Sequence, residues 1–191
     1  LDFKNGALKR YYDQSPQMNF SNLPSPRKDL LPKFSYISKN TIQATFGCPY
    51  KCDFCAVIST QKKYLRRPVE DVIKEISEMN GNFVTFIDPS PMEDKKYIKR
   101  LLREMIPLKK MWGGLATVKI GDDEELMDLC AESGCKGLLI GFESVEQDAL
   151  VEINKKFNVV EKYRNLCARL HERGIAINGI FPRLLRYAPL T

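Results

Sequence analysis

Cys48, Cys52 and Cys55 fall in the spacing C-x3-C-x2-C, inside Thr45-Phe46-Gly47-Cys48-Pro49-Tyr50-Lys51-Cys52-Asp53-Phe54-Cys55. A loop this short can curl three thiolates onto one face of an inorganic cluster. Iron–sulfur clusters are held by thiolates, usually four. Three from one loop leave one iron without a protein ligand, and an open coordination position is where chemistry happens. A zinc site normally wants four ligands, often as paired C-x2-4-C or with histidine. Here only Cys52 and Cys55 form such a pair, and the single histidine, His171, lies far off in an expected helix. A disulfide framework belongs to small secreted chains, and nothing in the sequence marks export. The spacing favours a cluster over zinc. It leaves two uses open: catalysis, or a structural or electron-carrying iron–sulfur or zinc site.

The elements that must position this loop can be read from periodicity. Thr41 to Phe46 is an expected strand running directly into the cysteines. Pro68 precedes a helix with Val69, Val72, Ile73, Ile76 and Met79 at helical spacing, ended by Gly81. Asn82 to Asp88 reads as a second strand, and Asp94 as the cap of a helix carrying Tyr97, Ile98, Leu101, Leu102 and Met105 before Pro107. Met111 to Ile120 is the third expected strand. Asp122 with Glu125 makes a capping-box pattern ahead of Leu126, Leu129 and Cys130, with Gly134 at the helix end. Gly137 to Glu143 is the fourth strand. Ser144 with Gln147, and Asn158 with Glu161, are further capping signals; the second opens a helix with Tyr163, Leu166, Cys167 and Leu170 that stops at Gly174. Ile175 to Phe181 is the fifth strand. Alternating strands and helices, with continuously apolar strands, argue for a parallel sheet joined by right-handed crossovers. An open doubly wound sheet and a curved partial barrel both satisfy that pattern. No G-x-G-x-x-G follows any strand, which weakens the dinucleotide-fold alternative.

Cys48, Cys52 and Cys55, with Phe54 just before the last cysteine, resemble the signature of the radical S-adenosylmethionine (SAM) superfamily. The stretch from Arg27-Lys28-Asp29-Leu30-Leu31-Pro32 through Ser144 is similar to the branch with a cobalamin-binding domain upstream. The resemblance implies an α/β fold, a partial (β/α) barrel with parallel strands, here cut off after about the fifth. It implies a [4Fe-4S] cluster on the three cysteines and SAM chelated to the free iron. One electron, from a donor such as flavodoxin or ferredoxin, then cleaves SAM to a 5′-deoxyadenosyl radical that abstracts hydrogen from a small molecule or modified biomolecule. Cobalamin would enter through an upstream domain, for methylation or rearrangement of an unreactive carbon. It further implies that the Phe54 backbone touches adenine, that the stretch Asp88-Pro89-Ser90 meets the SAM amino group mainly through backbone atoms, with Asp88 the candidate side chain, and that Glu143 in Gly141-Phe142-Glu143-Ser144 holds the ribose. The branch often shows two acidic residues at the Asp88 position, and Pro89 stands in the second place here. Residues 1–40 then read as a pre-barrel linker, 41–181 as the radical SAM core and 182–191 as an atypical tail. A core lacking its sixth strand is expected to be poorly active on its own.

At 191 residues, with 43% hydrophobic and 28% charged residues, the chain has one domain's length and an ordinary globular composition. No apolar run approaches the roughly 20 residues of a membrane span. Six cysteines without an export signal place the expected location in the cytoplasm. The net charge of +6 is modest. Lys62, Lys63, Arg66, Arg67, Lys95, Lys96, Lys99 and Arg100 are interleaved with acids, so a solvated face is favoured over a nucleic-acid surface. Cys130, Cys135 and Cys167 read as core packing, since buried free cysteine behaves as a small hydrophobe.

Overall fold

The computed structural model describes residues 20–21, 23–32, 36, 38–57 and 63–182. Residues 1–19 of the expected linker, 183–191 of the expected tail, and Lys62 lie outside them. Seven strands are described: β1 (Thr41–Ile42), β2 (Thr45–Phe46), β3 (Leu65–Arg66), β4 (Phe83–Phe86), β5 (Met111–Ala116), β6 (Cys135–Gly141) and β7 (Ala176–Ile180). Five helices join them: α1 (Val69–Glu78), α2 (Lys95–Met105), α3 (Glu124–Glu132), α4 (Gln147–Glu152) and α5 (Tyr163–Glu172).

The main sheet runs β1-β4-β5-β6-β7, every neighbouring pair parallel. Each new strand is laid beside the previous one, in one direction. A doubly wound sheet reverses its strand order at a switch point; this one does not. Right-handed crossovers that always step the same way put all the helices on one face, as in a barrel wall. The sheet order thereby separates the two architectures that periodicity leaves open. Between sheet and helices sit Val72, Ile76, Val84, Ile98, Leu101, Leu102, Met105, Trp112, Leu126, Leu138, Ile140 and Leu170, each almost fully buried. Trp112 also satisfies its indole N–H, which donates to Ser133 Oγ at 3.0 Å. Cys130 and Cys135 belong to this core, and Cys167 packs against it. Among the described residues no helix is long and apolar enough to cross a membrane.

Several boundaries depart from expectation. The first strand is not continuous. β1 pairs with β4, whereas β2 turns away and pairs antiparallel with β3. The break falls at Gln43-Ala44, where Asp88 Oδ1 takes the backbone N–H groups of Ala44 and Thr45 that a ladder would otherwise use. The third strand stops at Ala116, and Val118–Asp122 is a 3-10 helix. The cap of α3 is Asp123, not Asp122: Asp123 is extended at φ −144° and accepts from Leu126 N, while Asp122 belongs to the preceding turn. Neither of the next two capping signals is used as expected. Ser144 Oγ accepts from Glu146 N in a tight turn, and Asn158 turns its amide inward. Asp94, by contrast, caps α2 through Tyr97 N.

The basic residues are largely paired. Arg66 meets Asp94, Arg67 lies 2.8 Å from buried Glu75, Lys99 reaches Asp123 and Glu125, and Arg100 holds Glu70 and Glu104. The Arg100 contacts lie on an exposed helical surface, whereas Arg67 departs from the solvated-face expectation, its guanidinium being buried against Glu75.

Candidate metal centre

Parallel strands bring their C-terminal ends to one rim. β2 delivers the cysteine loop there, Asp88 lies two residues past β4, and Glu143 two residues past β6. Gly47, immediately before Cys48, sits at φ 82°, where a β-carbon would also collide with the carbonyl oxygen of Lys63. Only glycine lets the chain turn this closely into the loop. All three cysteines are free thiols; Cys52 is buried, Cys48 and Cys55 partly so. Cys55 N donates to Cys52 O at 3.0 Å, closing a turn between them. Among the described residues no three His, Cys, Asp or Glu side chains close round a single ion. On a four-iron cluster each thiolate takes a separate iron, so the sulfurs stand further apart, and a set of three thiolates on one loop suits that donor requirement.

The loop is fastened by the turn that follows α4. Asp53 N donates to Ile153 O at 3.2 Å, and Asn154 Nδ2 donates to Lys51 O at 2.8 Å. Tyr50 stacks on Phe157 with ring centroids 4.1 Å apart. Asn154 adopts φ 56°, a left-handed conformation that asparagine tolerates better than most residues. On the other side, Tyr50 OH donates to Glu93, whose carboxylate also accepts from Ser90 Oγ at 3.2 Å and Thr117 Oγ1 at 2.9 Å. Glu93 thereby ties the cysteine loop to the ends of β4 and β5.

Glu143 stands at φ 67° and is 8% exposed. Its Oε1 accepts from Lys155 Nζ at 2.6 Å, and the same ammonium donates to Gly141 O at 3.1 Å. A side chain at Gly141 would run into this pair. Asn158, fully buried, donates to Gly141 O and Phe142 O, and Tyr163 OH donates to Phe142 O. The carbonyls at the end of β6 are therefore all occupied. Lys155 Nζ also lies 5.8 Å from the Phe54 ring centroid and 5.6 Å from that of Phe157, within cation–π range. Burial pushes the Cys52 thiol up, and the Lys155 charge opposes that rise only in part.

Asp88 is fully buried, and its Oδ1 accepts from Ala44 N, Thr45 N and Thr45 Oγ1. Its Oδ2 is buried with no partner among the described residues. Burial pushes its carboxyl up to about 6, against the three hydrogen bonds. The sequence-predicted residues Cys48, Cys52, Cys55, Phe54, Asp88 and Glu143 thus all belong to one rim. Lys155 and Glu93 have no signal in periodicity or motif, and Asn158 carries only a capping signal that the fold does not use. Of the doublet Lys155-Lys156, the fold buries the first and leaves the second exposed.

Comparison with known proteins settles the lineage. Residues 42–182 match the Radical SAM superfamily. The chain belongs to that superfamily. The chain resembles bacteriochlorophyllide d C-12(1)-methyltransferase of Chlorobaculum tepidum, 29% identical over 95% of this chain and 42% of that protein. It resembles cytidylyl-2-hydroxyethylphosphonate methyltransferase of Streptomyces wedmorensis at 29% identity, covering 71% of this chain and 26% of the relative. Among solved structures it superposes on the radical SAM methyltransferase TsrM of Kitasatospora setae, determined with cobalamin and a [4Fe-4S] cluster bound. There the TM-score is 0.66 and the identity 21%, over 73% of this chain and 28% of TsrM. The likeness to TsrM extends to the fold of the barrel wall. The chain spans less than half the length of the curated relatives it matches.

Proposed function

We propose that this chain is the radical-generating core of a SAM-dependent enzyme, with Cys48, Cys52 and Cys55 holding a [4Fe-4S] cluster. The observation that carries the reading is three free thiols on one loop at the C-terminal rim, inside a sequence match to the superfamily. When bound, the cluster and SAM together supply one-electron cleavage of SAM and a 5′-deoxyadenosyl radical for hydrogen abstraction. The chain's own residues hold and orient. The α4 turn and Glu93 fix the loop from both sides, so that the thiolates are presented in one arrangement. Phe54, half-exposed at the rim, would bring its backbone against adenine. Glu143 has Oε1 engaged by Lys155, so Oε2 is the oxygen a ribose hydroxyl would meet. Asp88 ties the chain at Ala44 and Thr45, where β1 gives way to β2, to the end of β4, at the place where the SAM amino group would lie.

The full-length protein is proposed to be a cobalamin-dependent methyltransferase. Both named relatives are methyltransferases, and TsrM carries cobalamin. Its electron donor would be of the flavodoxin or ferredoxin kind, and its location the cytoplasm. The test is electron paramagnetic resonance of the reduced, anaerobically reconstituted chain. Adding SAM should change the spectrum, because the ligand lands on the iron that lacks a thiolate. A spectrum indifferent to SAM would point to a structural or electron-carrying cluster instead.

A further inference from the structure

Among the described residues Lys155 is the one lysine whose side chain is buried within this rim, and it is buried as a pair. Its ammonium and the Glu143 carboxylate are 9% and 8% exposed. Burying two charges is costly, and such pairs are weak grounds for stability alone. A methionine–glutamine pair would fill similar space without that cost. The lysine is instead placed where its charge acts on the cysteine loop. It follows directly on Ile153 and Asn154, the residues that hydrogen-bond Asp53 and Lys51. Its ammonium faces the ring of Phe54, between Cys52 and Cys55 in sequence. The other charge facing it is Glu143; the remaining neighbours are the Gly141 carbonyl and the Phe157 ring.

We propose that Lys155 is a positioning residue that sets the reduction potential of an iron–sulfur centre on Cys48, Cys52 and Cys55, with Glu143 as its counter-charge. The inference rests on the functional reading above. Reduction adds one negative charge to the cluster, and a fixed positive charge nearby in a poorly screened interior favours it. Glu143 moderates the effect, and its own orientation at the rim depends on the lysine.

The experiment is a redox titration of the reconstituted chain, following the reduced-cluster signal, for the wild type, Lys155→Met, Lys155→Arg and Glu143→Gln. Lys155→Met should move the midpoint to more negative potential. Glu143→Gln, which leaves the ammonium unneutralised, should move it the opposite way. Lys155→Arg should return it towards the wild-type value. Lys155→Met also leaves Glu143 buried without its cation, so that variant is exposed to misfolding. If it takes up no iron, the nearly isosteric Glu143→Gln decides by the direction of its shift. Full iron content with wild-type midpoints in Glu143→Gln and Lys155→Met overturns the inference while leaving the cluster assignment standing. A wild-type chain that takes up no cluster overturns both.

Discussion

Asp88→Asn should make the cluster-free protein more stable at neutral pH, although it removes a buried ionisable group. Asp88 Oδ1 accepts three hydrogen bonds, of which an asparagine Oδ1, with two lone pairs, keeps the two from the backbone N–H groups of Ala44 and Thr45. Oδ2 has no donor among the described residues and no exposed surface, so the charged form is poorly accommodated. Burial accordingly raises the carboxyl from 3.8 to about 6. Below pH 4 the group is protonated in both folded and unfolded chains. Between about pH 4 and 6 the folded chain keeps a proton that the unfolded chain has released, so stability falls as pH rises through that window. Roughly two units at 1.36 kcal/mol each make the loss about 3 kcal/mol, complete above pH 6. Asparagine imitates the protonated form and has no such loss. Urea denaturation of wild type and variant from pH 4.5 to 8 isolates the effect, because the other carboxylates cancel in the difference. The stability difference should grow in favour of the variant by about 2 kcal/mol across the range, the first part of the loss falling below pH 4.5. A difference that stays level would show that Asp88 is already ionised without penalty, or has a partner that offsets its burial.

Asp123→Ala should cost about 1–2 kcal/mol in denaturant unfolding, as loss of an N-cap does, since its side chain accepts from Leu126 N at 3.0 Å and pairs with Lys99. Asp122→Ala should change stability by less than about 0.5 kcal/mol, because its ion pair to Lys162 at 3.2 Å is exposed on both sides. Equal effects would reverse the assignment of the cap. Gly47→Ala should keep the helical circular dichroism of the chain and yet lose iron uptake on reconstitution, because a left-handed alanine costs about 1–2 kcal/mol and its methyl group collides with Lys63 O. Normal iron content would mean that the loop closes by another path.

What the sequence made legible followed the range of each interaction. Helices with a clean apolar stripe, such as α2, are set by neighbours three and four residues apart, and their limits agree with the periodicity. The expected strand over 41–46 failed because the break is imposed by Asp88, about 44 residues away in sequence. Asp122 and Asp123 are chemically identical, and only the backbone angles decide which one caps α3. In the same way the cysteine loop was legible as a spacing, whereas its fastening was not. The bond from Asn154 to Lys51 spans 103 residues, and nothing in Ile153-Asn154-Lys155-Lys156-Phe157 marks the segment as part of a site. Lys155 became visible only when β6 and the α4 turn placed Glu143 beside it.

Iron content after anaerobic reconstitution, measured for the wild type and for alanine variants of each of the six cysteines, tests the central assignment most directly. The wild type should bind about four irons per chain, the content of a [4Fe-4S] centre. Replacing Cys48, Cys52 or Cys55 should abolish stable incorporation. Replacing Cys130, Cys135 or Cys167, which pack in or against the core, should leave the ratio unchanged in the folded fraction. Retention of iron in all three loop variants, or its loss from the core variants alone, would contradict the account.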